Sequence, residues 1–299
     1  MKKTISLLLA LCALLVSCAS SPQNAPVGDN ADSDGEIRIV ATSSAICEIL
    51  DKLNIDSDFV VGVPDSSSLP ERYGEITRVG SPMNPDLEII KSLSPDLVLS
   101  PQSLESSLAE GYRSAGINSA FLDLSSVDGM YTAIVSLGEY LGCSERALTL
   151  RSEYEDYMNN YRSENDSSPS VLILMAFPDG FYLVATENSY VGSLVRLAGG
   201  ENVYPAGTKG DENGFVSINP EDIASREADI ILVFAHYAEE DAFAYMKEEL
   251  SVSASWQHFK AIKEGRVAYL PSKYFGMSAT FAWTDALEYL APILHGEAK

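Results

Sequence analysis

Eight short apolar blocks, alternating with helix-like stretches, constrain this chain more than any other feature. They cover residues 37–40, 59–63, 96–99, 120–124, 171–175, 181–184, 229–234 and 267–270. Each reads as a strand, and strands that alternate with helical segments describe an α/β protein rather than a bundle or a sandwich. One helical stretch differs from the rest. From 144 to 162 apolar or aromatic residues recur at Ala147, Leu150, Tyr154, Tyr157, Met158 and Tyr161, the spacing of one helix face. At about 1.5 Å per residue this is a rod of roughly 28 Å. It runs into Ser163-Glu164-Asn165-Asp166-Ser167-Ser168-Pro169, which breaks the helix before the next strand begins. The rod and breaker, 144–168, read as the connection between two Rossmann-like α/β lobes, 37–143 and 169–299. A shift of 133 residues lays Glu88 on Glu221 and Asp96-Leu97-Val98-Leu99 on Asp229-Ile230-Ile231-Leu232. This weak repeat agrees with two lobes, although helix-to-strand units of α/β proteins resemble one another in any case.

The first residues follow a different logic. Lys2 and Lys3 precede an apolar stretch, 5–16, that is too short to span a bilayer permanently, as in an export signal. It ends in Leu15-Val16-Ser17-Cys18, which resembles the lipobox of bacterial lipoproteins. Residues 1–17 are therefore expected to be removed and Cys18 to be lipidated, palmitate included, which places the protein on the outer face of the bacterial cell membrane. Residues 18–36 then form a tether rich in Ser, Pro, Asn, Asp and Gly that reaches at most about 60 Å. Apolar residues make up 46% of the chain, enough for a folded core. The 20 basic residues against 43 acidic ones leave a formal charge of -23, which repels nucleic acid. The cysteines at 12, 18, 47 and 143 show neither CxxC spacing nor a dense framework, and spacing alone does not say whether Cys47 and Cys143 pair.

Four runs carry a resemblance that covers nearly the whole chain. They are Val61-Gly62-Val63-Pro64, Leu69-Pro70-Glu71-Arg72-Tyr73, Val79-Gly80-Ser81-Pro82-Met83-Asn84-Pro85-Asp86-Leu87-Glu88 and Ser94-Pro95-Asp96-Leu97-Val98-Leu99-Ser100. Together they resemble the class III substrate-binding proteins of bacterial ABC importers. More narrowly they resemble the haem-binding lipoproteins of iron-regulated surface determinant systems. The resemblance implies two α/β lobes joined by one long helix, a monomer that carries haem in the interlobe cleft, and an ABC permease as partner. It also implies iron held by Met83 from one lobe and His236 from the other, and permease docking through Glu88 and Glu221.

The residues themselves agree with parts of that picture. Met83 lies between Pro82 and Pro85, outside any apolar stripe, and His236 follows an apolar strand at its carboxyl end, where ligands gather in open α/β sheets. A thioether and an imidazole form a familiar axial pair that closes both axial positions of haem iron. His258 and His295 are poorer candidates, the first in a surface helix and the second near the terminus. The start of the helix after the first strand, Ser43-Ser44-Ala45, offers N–H groups and hydroxyls to a propionate, though simple N-capping explains the serines as well. Within Lys273-Tyr274-Phe275-Gly276-Met277-Ser278, which resembles a cleft-facing loop, no role is assigned. No nucleophile stands at recognisable spacing from a base and there is no phosphate loop, so a binding protein is expected rather than a tetrapyrrole lyase or chelatase. The alternative cargo is a ferric siderophore or cobalamin.

Overall fold

The computed structural model describes residues 37–161, 168–217, 222–223 and 225–296. The segments expected to be an export signal and tether, Cys18, most of the expected breaker run (163–167) and Glu221 lie outside the described residues. The first half contains β1 (Ile39–Ala41), β2 (Val60–Gly62), β3 (Gly80–Ser81), β4 (Asn84–Pro85), β5 (Leu97–Pro101) and β6 (Ser119–Leu122). Its main sheet is parallel throughout, in the order β2-β1-β5-β6, while β3 and β4 pair only with each other. The helices α1 (Ser44–Lys52), α2 (Leu87–Ser92), α3 (Glu105–Ala115) and α4 (Val127–Tyr140) make the crossovers that a parallel sheet requires. Their starts were written locally. Ser43, Asp86 and Ser126 accept hydrogen bonds from first-turn N–H groups of α1, α2 and α4, each cap contributing about 1 kcal/mol.

The second half holds β7 (Ser170–Ala176), β8 (Tyr182–Ala185), β9 (Glu201–Asn202), β10 (Phe215–Val216), β11 (Ile230–Ala235) and β12 (Val267–Leu270), in the order β10-β8-β7-β11-β12 with β9 beside β7. The strands β7, β11 and β12 are parallel, whereas β8 pairs antiparallel with β7 and β10 antiparallel with β8, forming an added edge. Every residue of β11 is buried, because helices cover both faces of a parallel sheet and its central strands become continuous apolar runs. All eight expected strands are present, shifted by a residue or two at their ends.

The internal repeat has a physical counterpart. Asp96 donates its N–H to the Arg38 carbonyl and accepts the Arg38 N–H on its carboxylate, both at 2.8 Å. Asp229 repeats the device on Ser170, at 2.9 Å for the backbone bond and 3.1 Å for the carboxylate. Each aspartate thereby sets the register of the central strand pair in its own sheet. Hydrogen bonds from Lys260 and then Ser170 hold the Asp229 carboxyl well below the ordinary range, at about 2.

The long helix, α5 (Ser144–Asn160), lies where the periodicity places it, with Ala147, Leu150 and Tyr154 buried. It packs along α4, where Tyr154 stacks on Tyr131 at 4.6 Å, and both rings meet Trp283 of the helix Trp283–His295 edge-on. Trp283 also donates its indole N–H to the Tyr131 hydroxyl at 3.2 Å. One apolar cluster thus draws on both sheets, including Ile39, Leu99, Ile173 and Phe234. Further hydrogen bonds among the described residues tie the halves: Ala279 N–H to the Leu124 carbonyl, Phe281 N–H to the Glu48 carboxylate, and the Asn213 amide to the Ser103 carbonyl. Cys47 and Cys143 are both free; burial pushes the Cys47 thiol up to about 12. Among the described residues no helix is long and apolar enough to cross a membrane.

Candidate functional site

Met83 occupies the tip of the β3–β4 hairpin, whose antiparallel pairs Gly80 with Pro85 and Ser81 with Asn84 leave Pro82-Met83 as the turn. The hairpin is fastened at its base. Asp65 N–H donates to the Gly80 carbonyl at 2.9 Å and Asp86 N–H to the Val79 carbonyl at 2.7 Å. Gly80 takes φ +93°, and a Cβ there would stand 3.0 Å from the Asn84 carbonyl, so glycine is required at this turn. The consequence is a thioether held away from the core: Met83 is 61% exposed. The thioether is therefore open to a ligand at the tip of a braced turn.

His236 is placed by β11. Its N–H donates to the Ala176 carbonyl at 3.0 Å, which extends the β7–β11 ladder by one residue and leaves the ring at the carboxyl ends of both strands. The imidazole lies 5.0 Å from the Phe177 ring and 5.4 Å from Tyr237. Its Nδ1 is buried and meets no hydrogen-bond partner among the described residues. Burial lowers its pKa below the ordinary value of 6.5, so the ring is neutral at pH 7. A neutral imidazole is a metal donor, and a thioether donates to the same soft or borderline metals.

The other expected residues fall as follows. Ser43 caps α1, accepting the Ile46 N–H at 3.4 Å, so N-capping accounts for its hydroxyl; Ser44 and Ala45 begin the helix. Glu88 is exposed in the first turn of α2 and makes no ion pair among the described residues. His258 is exposed in a turn rather than a helix, against the Phe259 ring, and His295 contacts the Ala198 carbonyl. No group of His, Cys, Asp or Glu among the described residues forms a metal cluster.

A cavity of about 640 Å³ opens between the two halves, beside the carboxyl ends of β5 and β6. Asp123, Asp211 and Glu105 line it with amides and hydroxyls, and none of its described lining residues is basic. Asp211 is already satisfied, accepting from Thr186, Asn188 and the Gly214 N–H. Met277 and Ser278 reach this cavity, which gives the loop 273–278 a location, while none of Ser43, Ser44, Ala45, Met83 and His236 lines it. A carboxylate-lined space repels the acid groups of an anionic cargo.

Sequence motifs that carried the resemblance perform structural work in the first half of the chain. Tyr73 is buried and donates to the Ile55 carbonyl at 2.6 Å, Arg72 pairs with Asp51, and Asp86 caps α2. The family description "Periplasmic binding protein" matches residues 39–274. The chain belongs to the periplasmic binding protein family. It is a binding protein and not an enzyme. The high-affinity heme uptake system protein IsdE of Staphylococcus aureus (strain MRSA252) is 33% identical over 99% of this chain and 99% of its own length. Among solved structures, an ABC transporter substrate-binding protein from Listeria monocytogenes EGD-e is 40% identical, covering 87% of this chain and 99% of that one, with a TM-score of 0.79. The structure of S. aureus IsdE complexed with heme is 34% identical, with coverage of 87% and 100% and a TM-score of 0.79. Family membership agrees with the two-lobed α/β architecture expected from the sequence.

Sequence reasoning passed over the rings that surround His236. Phe177 and Phe181 flank Pro178-Asp179-Gly180, a tight-turn signature that marks a hairpin and thereby brings the two rings together.

Proposed function

We propose that this chain captures haem and delivers it to an ABC permease for import, with Met83 and His236 as the iron ligands. The observation that carries the reading is the His236 imidazole, set among aromatic rings at the carboxyl end of β11 with its Nδ1 meeting no hydrogen-bond partner among the described residues and its pKa lowered by burial. Whole-chain similarity to a heme uptake protein supports the same cargo. Both iron donors and both sheets come from one chain, so the unit of function is a monomer. The haem propionates go to the start of α1 at Ser43, Ser44 and Ala45, since the start of a helix favours an anion. Titration of the purified protein with haemin tests the cargo: a saturable Soret shift is expected at one haem per chain. Binding of a ferric siderophore or cobalamin, without haemin, would overturn it.

The same reading divides the chain into an export signal at 1–17, a tether at 18–36, lobes at 37–143 and 169–299, and the connection at 144–168. Cys18 carries the lipid, palmitate included, and anchors the protein on the outer face of the cell membrane. The charged start, short apolar stretch and lipobox support this. Cys18→Ala is expected to leave the precursor uncleaved or release the protein from membranes. A processed, lipid-modified product from that variant would count against the anchor.

Glu88 and Glu221 are the docking carboxylates for basic residues of the permease. The 133-residue repeat that relates them, and the exposure of Glu88, support the pairing. With both changed to Ala, haemin titration is expected to match the natural protein while cellular haem uptake falls severalfold, since each charge contributes about 1 kcal/mol or less at an exposed contact. Undiminished uptake in cells without another haem importer would refute docking.

A further inference from the structure

We infer that the second lobe recognises the porphyrin macrocycle itself, through Phe181 and Tyr237, independently of the iron. The inference rests on the haem reading above and names the residues that would give it specificity. Seven large apolar or aromatic side chains stand exposed among the described residues, and three of them are Met83, Phe181 and Tyr237. Phe181 and Tyr237 are 48% and 55% exposed, yet both sit on Phe177, at 5.4 and 6.2 Å, and Phe177 in turn meets the His236 ring. Two of the exposed rings thus share one buttress, Phe177, with the His236 imidazole.

They are also held there. Phe177 donates its N–H to the Phe181 carbonyl at 2.9 Å, closing the β7–β8 hairpin. Its turn glycine, Gly180, takes φ +92° against the Tyr245 ring, where a Cβ would lie only 2.7 Å away. Tyr237 follows His236 directly and meets its ring edge-on. About half of each braced ring faces water, and a ligand with a large apolar face covers that area on binding. A planar tetrapyrrole has such a face, whereas a ferric siderophore offers mainly oxygen donors and polar backbone.

The test titrates the full-length protein in detergent with haemin and, separately, with metal-free protoporphyrin IX, following Soret absorbance and tryptophan quenching. Protoporphyrin is expected to bind, more weakly than haemin. Combining Phe181→Ala with Tyr237→Ala is expected to weaken both ligands by the same factor, about tenfold. His236→Ala weakens haemin by a larger factor than protoporphyrin. Tyr237→Phe, which keeps the ring, recovers the affinity that Tyr237→Ala loses, and matched thermal melts show that the variants fold. The inference is overturned by protoporphyrin failing to bind at about 100 times the haemin Kd. It is equally overturned by the double variant holding both ligands as tightly as the natural chain. Failure of haemin to bind the natural chain overturns the cargo reading instead.

Discussion

His236→Ala is expected to lower haemin affinity on the order of 100-fold, because even second-shell partners of a metal ligand are worth 10–100-fold and the imidazole is the stronger of the two donors. The Soret band of the residual complex should move, reporting a changed axial set. Met83→Ala is expected to keep haem and alter its spin state, since water replaces a thioether more easily than an imidazole. Its hairpin is braced by backbone bonds at Gly80 and Val79, so truncating the exposed side chain leaves the fold intact. Unchanged spectra in both variants would remove these residues from the iron while leaving haem binding in place. The pH dependence has a definite sign. Only the neutral ring ligates, and burial lowers the His236 pKa below 6.5. Affinity should hold from pH 7.5 to 6.5 and decline only further into acid, where the ring protonates.

Trp283→Ala is expected to cost about 3–5 kcal/mol and lower the melting temperature on the order of 10 °C. Trp283 is buried where the last helix meets α4 and α5, within edge-on contact of Tyr131, Tyr154 and Tyr157. Removing it opens a cavity in the cluster shared by both sheets and leaves the Tyr131 hydroxyl without its indole donor. Trp283→Phe should lose less, since a ring still fills part of the space and only the hydrogen bond disappears, at about 1 kcal/mol. Chemical and thermal melts followed by circular dichroism measure both; a Trp283→Ala midpoint within a degree or two of the natural protein would refute this account of the junction. Coupling between the halves gives the variant a second readout. If the shared cluster positions one lobe against the other, Trp283→Ala should also weaken haemin, whose proposed donors, Met83 and His236, come one from each lobe.

Local sequence determined most of the architecture because its signals are local. The eight strands are continuous apolar blocks, α5 has a one-faced stripe, and Ser43, Asp86 and Ser126 lie just before the helices they cap. The matched aspartates, Asp96 and Asp229, were legible as a repeat before their identical bonding was visible. The pairs β3–β4, β9 and β10 were not, since two-residue strands carry no periodicity and exist only through their partners. The state of Cys47 and Cys143 was equally unreadable: burial in α1 for one and a helix boundary for the other follow from packing, not spacing. Met83 and His236 could be nominated from their positions beside prolines and at a strand end. Their environments were decided by tertiary structure alone. Met83 is exposed because distant backbone groups near β2 brace its hairpin, and His236 is neutral because Phe177, some sixty residues earlier in the chain, is brought against it by the parallel pairing of β7 with β11. A side chain's chemistry is local, but the dielectric and partners that tune it are supplied by whatever the fold places beside it.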